Sequence, residues 1–275
     1  SAASDVYKRQ IVVEKNPFYY DASMVRLNEI HYYPVSNVMT EDRMFRAGQL
    51  HLTSTMPTQK CPIYIEENNP NLKIDPYMGT YFYRINTENE ALSDVRVRKA
   101  LAYSIDRELL VEKVTQCGQI PAYSFTPPGS NGYQPSTEIP YDPELAKVLL
   151  EEAGFTSDNP FPKLEILFNT NEGHRKVALA IQQMWQKELG IEVELVNQDW
   201  KVYLSREMVG DFQISRAGWI GDYEDPNTFL DLMRPNRGNN KTGWEDMSFD
   251  ALVEKANTIN NQTERYKLLN EAEKI

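Results

Sequence analysis

The stretch RAGWIGDYEDPNTFL, residues 216–230, places a cation, an aromatic ring and an anion at close spacing. Arg216 could bind a carboxylate through two parallel hydrogen bonds, Trp219 could wall a pocket, and Asp222 could pair with an ammonium group. These residue types suit a ligand that carries both charges. They leave a second interpretation open, in which Asp222 is an exposed turn residue and Arg216 forms a salt bridge inside the fold.

Two further acids, Glu224 and Asp225, lie two and three residues after Asp222, and paired carboxylates are typical of glycoside hydrolases. Asp225 precedes Pro226, however, and an Asp–Pro step indicates a helix start with Asp as the N-cap. We therefore interpret Asp225 as a capping residue and keep a hydrolase that uses acids of residues 222–225 as the alternative. The histidines have no metal-ligand spacing, so the sequence predicts no metal site and no cofactor.

The elements that must position these residues alternate between strand and helix. Strands are predicted at 164–168, 191–195 and 212–215, and helices at 172–189 and 200–209. This order indicates crossover units on a parallel sheet, so the predicted fold class is α/β. Ligands of such folds lie beyond the carboxyl ends of the strands. Residues 216–222 come directly after one of these ends, which favours the binding interpretation.

The remaining sequence predicts elements on both sides of a long extended segment. Helices are predicted at 40–47 with Thr40 as N-cap, 94–104, 106–114, 142–154, 249–258 and 264–275, and strands at 25–33 and 50–53. Residues 72–86 are extended and aromatic and separate two differently patterned regions. We therefore expect two structural units.

Composition excludes several classes of function. The 275 residues carry a net charge of −11, which argues against nucleic acid as a partner, because phosphates need a basic surface. Hydrophobic residues make up 41% of the sequence, as expected for a globular protein. The sequence contains no apolar run of about 18 residues, so it predicts no membrane-spanning helix. The two cysteines, Cys61 and Cys117, leave both a disulfide and free thiols open.

Several segments resemble one known family. They are RAGWIGDYEDPNTFL, VNQDWKVYLSR (196–206), DPYMGTYFYRIN (75–86), DVRVRKALAYSIDR (94–107), PAYSFTPPG (121–129) and FRAGQLHLT (45–53). Together they resemble the periplasmic oligopeptide-binding proteins of ABC importers. The resemblance implies a type II periplasmic-binding-protein fold and a non-enzymatic, periplasmic or cell-surface monomer. Such a protein closes two lobes around an oligopeptide and delivers it to permease subunits. A receptor for cell-wall or signalling peptides on the same fold is a further alternative.

The resemblance also implies which residues bind the peptide. Asp222 would pair with the α-ammonium group, Arg216 with the C-terminal carboxylate of a short peptide, and His174 with that of a longer one. The other predicted site residues are Trp219 and Trp200 as pocket walls, Tyr81, Tyr83 and Thr55 as partners of the peptide main chain, and Arg206 and Asn169 as further binding residues. Two alternatives stay open, since the tryptophans could be core residues and His174 a solvated residue of a first helical turn.

The chain departs from the family at positions that bear on ligand charge and length. Enteric relatives have an arginine where this chain has Glu207, and Arg206 stands one residue earlier. Because one residue turns a helix by about 100°, Arg206 need not reach the cleft. Arg84 replaces a glutamate, and Thr115 replaces a lysine that serves one peptide length. The length preference is therefore expected to differ.

The resemblance also divides the chain. Residues 1–10 look foreign to the rest of the chain, 11–78 would form part of one lobe, and 79–275 would form the peptide-binding lobe. The sequence ends inside a helical pattern and shows no signal peptide. We therefore expect a fragment with one nearly complete α/β lobe and part of a second.

Overall fold

The computed structural model describes residues 10–35, 37–53, 55–235 and 238–275. The chain divides into two compact units, residues 1–63 and 64–275. The predicted leader, residues 1–10, lies outside the described residues except for Gln10.

The first unit contains a two-stranded antiparallel sheet and a helix. Strands β1 (Ile11–Glu14) and β2 (Glu29–Tyr32) pair along their whole length. Helix α1 (Val38–Arg46) begins after Asn37, whose side chain accepts a hydrogen bond from the Thr40 amide at 2.9 Å. The prediction of Thr40 as N-cap is therefore wrong, because Asn37 takes that role. Only four residues of the predicted strand at 25–33 are extended in a sheet, and none of the described residues 50–53 is.

The second unit is built on a four-stranded sheet. Its strands are β3 (Gly79–Ile85), β4 (Leu164–Asn169), β5 (Val193–Gln198) and β6 (Ile214–Ile220). The spatial order is β3-β6-β4-β5. Strands β4, β5 and β6 run parallel, whereas β3 is antiparallel to β6. The parallel part confirms the predicted α/β class, and β6 extends five residues beyond the predicted strand 212–215.

Helices precede, separate and follow these strands. They are α2 (Cys61–Glu66), in which the two units divide, α3 (Val95–Tyr103), α4 (Arg107–Leu110), α5 (Pro143–Glu152), α6 (Glu172–Leu189), α7 (Trp200–Met208), α8 (Asn227–Leu230), α9 (Met247–Ala256) and α10 (Gln262–Glu273). The predicted caps Asp94, Asp106 and Asp142 each accept a backbone hydrogen bond at the start of α3, α4 and α5. Within the described ranges, no helix is long and apolar enough to cross a membrane.

Apolar side chains cover both faces of the sheet. Leu164, Ile166 and Phe168 of β4 face α3, α5 and α6, and all three are buried. Leu167 points to the opposite face and packs with Tyr203 of α7 and Phe212. A sheet covered on both faces leaves its strand ends as the accessible backbone. The carboxyl ends of β4, β5 and β6 lie at one end of the sheet, together with the beginning of β3. We call this end of the sheet the carboxyl edge and the opposite end the amino edge.

Candidate functional site

A group of polar and aromatic side chains lies at this carboxyl edge, and we call it the Arg216 cluster. The guanidinium carbon of Arg216 lies 5.0 Å from the centre of the Tyr81 ring, and its Nη1 donates to Asn169 Oδ1 at 3.4 Å. The Tyr81 hydroxyl and His174 Nδ1 are 3.4 Å apart, and the rings of Tyr81 and Tyr83 meet edge to face at 6.0 Å. Five of the predicted site residues are thus brought together.

Strand register and helix capping explain this arrangement. Tyr83 lies opposite Arg216 and Tyr81 opposite Gly218, so their side chains share one face of the sheet. Gly218 lacks a side chain, and a Cβ there would lie 3.9 Å from Arg216 Nη2. The guanidinium therefore lies beside the bare backbone of Gly218. His174 reaches the cluster from the first turn of α6, where Asn171 caps the helix.

Burial sets the protonation of the cluster. Burial lowers the pKa of His174 to about 4, and the positive charge of Arg216 adds to this effect. The imidazole is therefore neutral at pH 7. Burial also raises the pKa of Tyr81 and of Tyr83, so both phenols keep their protons. Arg216 is then the one charged member of the cluster.

Two donors of the cluster lack a hydrogen-bond partner. The Tyr83 hydroxyl and Arg216 Nε are buried and make no hydrogen bond within the described part of the chain. A buried polar group without a partner costs about 1–3 kcal/mol, more when it is charged. A hydrogen-bond acceptor brought by a ligand would remove this cost, and the charge of the guanidinium favours an anionic acceptor.

The side of strand β6 that faces β4 is unpaired beyond the end of their short ladder, beside this cluster. We call this unpaired backbone the open edge. It pairs with β3 from Ile214 to Ile220, but with β4 only at Ile214 and Ser215. The Gly221 amide donates to the Met78 carbonyl at 3.0 Å, and the ladder bonds of an antiparallel pair recur at every second residue. The amide and carbonyl groups of Gly218 and Ile220 therefore point away from β3, and β4 does not reach them.

The loop after β6 carries Asp222. Thr228 of α8 accepts hydrogen bonds from the Asp222 amide at 3.2 Å and from the indole nitrogen of Trp219 at 3.1 Å. Gly221 lies tightly within this turn, since a Cβ there would lie 3.1 Å from Thr228 Cγ2 and 3.3 Å from the Tyr223 carbonyl oxygen. The Asp222 side chain is exposed and forms no ion pair among the residues described. Its carboxylate is available to a ligand.

Asp225 is engaged within the protein. Its carboxylate binds Arg265 through two hydrogen bonds of 2.6 and 2.7 Å and accepts the Asn227 amide at 2.9 Å. Asp225 therefore supports the turn that leads into α8, but the helix begins at Asn227 with Pro226 as its N-cap, one residue later than the Asp–Pro step predicts. It does not form a free acid pair with Asp222, so Asp225 gives no support to the hydrolase alternative. Among the described residues, no group of acids, histidines or cysteines could hold a metal ion.

Besides Asp222 and Trp219, three more predicted residues lie outside the Arg216 cluster. Trp200 begins α7, is 56% exposed and stacks on Tyr203 at 5.5 Å. Thr55 belongs to the first unit, where it donates to Glu41 Oε2 at 3.1 Å. Arg206 binds Glu165 at 2.8 Å and Asp211 at 2.9 Å, and Glu165 stands near the amino end of β4. The structure therefore does not support Arg206 as a site residue, because its position on α7 directs it to the opposite edge of the sheet.

Sequence reasoning missed two features. The first is Thr228, which holds the Asp222 loop in place. A threonine at the start of a helix is common, so nothing in the sequence indicated this role. Arg84 and Glu207 were treated as separate departures, but they form an ion pair of 2.8 Å with side chains only 14% and 8% exposed. Their opposite signs were the available signal. The two charges neutralise each other.

Comparisons with known proteins agree with this geometry. Residues 4–241 match the family described as bacterial extracellular solute-binding proteins, family 5. The oligopeptide-binding protein OppA of Bacillus subtilis is 39% identical over 277 residues, which cover 96% of this chain and 50% of that protein. The solved murein tripeptide-binding protein MppA of Escherichia coli superimposes with a TM-score of 0.91 at 34% identity, covering 97% of this chain and 53% of that one.

A further solved structure is that of Haemophilus influenzae OppA in complex with the peptide RPPGFSPFR. It superimposes with a TM-score of 0.88 at 32% identity, covering 97% of this chain and 54% of that one. The chain thus spans about half the length of the relatives it matches. These relatives are binding proteins with the type II periplasmic-binding-protein fold.

Proposed function

Because the chain belongs to the bacterial extracellular solute-binding proteins of family 5, we propose that it supplies the peptide-binding lobe of an ABC importer's oligopeptide receptor. The observation that carries the proposal is the open edge of β6 beside the Arg216 cluster. An extended peptide can add to such an edge as a new strand, with main-chain hydrogen bonds that do not depend on its sequence.

The charged groups at the two ends of this edge give the peptide its direction. Asp222 lies just after β6 and would pair with the α-ammonium group. Arg216, with Tyr83, would receive the C-terminal carboxylate, because both have buried donors without a partner. His174 is neutral at pH 7 and would donate a hydrogen bond to longer peptides, and Asn169 orients the guanidinium.

The remaining predicted residues have supporting roles in this proposal. Trp200 and Trp219 lie at the carboxyl edge, where they would contact ligand side chains, and Tyr81 supports the guanidinium. Thr55 stays a prediction as a partner of the peptide main chain. The division into lobes at 11–78 and 79–275 stays a prediction, as do the permease partner, the extracytoplasmic location and the monomeric state. Family membership supports these parts of the proposal.

Ligand identity tests the proposed function most directly. The full-length protein would be purified without denaturation, and bound molecules would be identified by native mass spectrometry. We expect peptides with free amino and carboxyl termini. Calorimetry with trialanine, tetra-alanine and penta-alanine would then measure affinity as a function of length. Binding of non-peptide molecules only, with no heat from any alanine peptide, would contradict the proposal.

A further inference from the structure

Tyr203 makes a hydrogen bond that core packing does not require. The residue lies in α7, is 2% exposed and packs against Leu167 and Phe212. Its hydroxyl donates to the backbone carbonyl of Arg216. Burial and the nearby Glu207 carboxylate raise the pKa of Tyr203, so the hydroxyl keeps its proton and acts as a donor.

This bond lies where the ladder between β4 and β6 stops. The last residue of β6 that pairs with β4 is Ser215, and the Arg216 carbonyl comes next along the strand. Arg216, like Gly218, belongs to the residues whose backbone groups point away from β3. The Tyr203 hydroxyl thus donates to the first backbone carbonyl beyond the ladder between β4 and β6. The open edge begins directly after it.

A buried ion pair anchors α7 to both strands beneath this point. Glu207 lies one helical turn after Tyr203, and its Oε1 accepts from Arg84 at 2.8 Å and from the Ser215 hydroxyl at 2.6 Å. Arg84 of β3 and Ser215 of β6 are direct neighbours across the two strands. The helix therefore holds its place relative to the backbone that carries Arg216.

We propose that Tyr203 is a positioning residue for carboxylate binding by Arg216. Its hydroxyl holds the Arg216 backbone so that the guanidinium stays over the Tyr81 ring, where an incoming carboxylate would bind it. Tyr203 itself contacts no ligand in this proposal. The inference rests on the proposed function and extends it, because it explains why a buried aromatic residue carries a hydroxyl here.

The test compares a peptide acid with its amide. Calorimetry on the full-length protein would measure trialanine and trialanine amide with wild type, Tyr203→Phe, Arg216→Ala and the double variant. Tyr203→Phe keeps the ring in the core and removes one hydrogen bond. We expect about a fivefold to tenfold loss of affinity for trialanine, the effect of about one hydrogen bond. The loss for the amide should be below about twofold, because the amide lacks the carboxylate that Arg216 binds.

The double variant and a core control separate positioning from packing. In the Arg216→Ala background, Tyr203→Phe should cause no further loss for trialanine. Phe212→Leu disturbs the buried cluster of Leu167, Tyr203 and Phe212 but keeps the Tyr203 hydroxyl. It should therefore lower the melting temperature without changing the ratio of the affinities for trialanine and its amide. Equal losses for acid and amide, or no loss with Tyr203→Phe, would overturn the inference alone. If wild type binds neither peptide, the proposed function falls and this inference with it.

Discussion

The two edges of the four-stranded sheet treat their charges in opposite ways. At the amino edge, a groove of about 450 Å³ has both of its lining cations paired with acids: Lys163 binds Glu194 at 2.7 Å, and Arg206 binds Glu165 and Asp211. At the carboxyl edge, Arg216 and Asp222 form no ion pair among the described residues.

The difference shows that a charged groove does not by itself identify a binding site. A groove whose cations are already paired gains little from an anionic ligand, because binding must first break those pairs. The carboxyl edge instead offers a cation, an anion, two buried donors without partners and a free strand edge. These features are the ones that a zwitterionic, extended ligand would complete.

Removal of the Asp222 carboxylate at the carboxyl edge should have the largest effect on peptide binding. Asp222→Asn keeps the shape of the side chain and leaves the buried ammonium of the peptide without its partner. The affinity for trialanine should fall by about 3–5 kcal/mol, or roughly two to three and a half powers of ten. Calorimetry on the full-length protein measures this loss.

Two controls belong to the Asp222 experiment. Asp211→Asn removes an acid at the amino edge and should change the affinity by less than about twofold. N-acetyl-trialanine should bind the wild type weakly and lose little further affinity with Asp222→Asn, because it carries no ammonium group. If Asp222→Asn binds trialanine as tightly as wild type does, Asp222 is not the amine partner.

Arginines at the two edges should differ in what they contribute: Arg216 to peptide affinity and Arg206 to stability. Arg216→Ala should lower trialanine affinity by about 2–5 kcal/mol, since it removes the partner of a buried carboxylate. It should change the free energy of unfolding by less than about 1 kcal/mol, because it loses mainly the contact with the Tyr81 ring. Urea unfolding and calorimetry on the same samples give both quantities.

Arg206→Ala is the matched variant at the amino edge. It should leave the affinity unchanged and lower the free energy of unfolding by about 1 kcal/mol, since two partly exposed ion pairs are lost. A loss of affinity with Arg206→Ala that equals the loss with Arg216→Ala would remove the contrast between the edges.

A smaller effect should appear in the pH dependence of stability. The pKa of His174 is lowered to about 4 in the folded protein, below the usual value of 6.5. Between these values the unfolded chain binds a proton that the folded chain does not, so this contribution to stability is lost as pH falls from about 6.5 to 4. Urea midpoints at pH 7 and 4.5 should therefore differ less in His174→Gln than in wild type. His51→Gln, an exposed control, should match the wild-type difference, and an unchanged difference in His174→Gln would contradict the assignment.

Local signals in the sequence predicted most of the second unit. Caps such as Asp94 and Asp142, and the stop at Gly190, depend on contacts within a few residues, and the structure confirms them. The end of β6 was placed too early, because its last residues are extended by pairing with β3, which is distant in sequence.

The site was predictable only in part. Residue types and family resemblance indicated Arg216 and Asp222, but not the open edge, which depends on how far β4 reaches along β6. The ion pair of Arg84 and Glu207 joins residues 123 positions apart, so no local pattern announces it. Arg206 was predicted as a binding residue although it stands one helical residue, a turn of about 100°, from the position of the family's arginine, and the structure pairs it with Glu165 and Asp211.

Amide hydrogen exchange at the open edge tests the central claim most directly. Exchange in the full-length protein would be measured residue by residue with and without trialanine. Strand addition predicts that the amides of Gly218 and Ile220 exchange more slowly when the peptide is bound, while amides beside Glu194 at the amino edge keep their rates. Unchanged exchange at Gly218 and Ile220 under saturating peptide, or protection confined to the amino edge, would contradict the account.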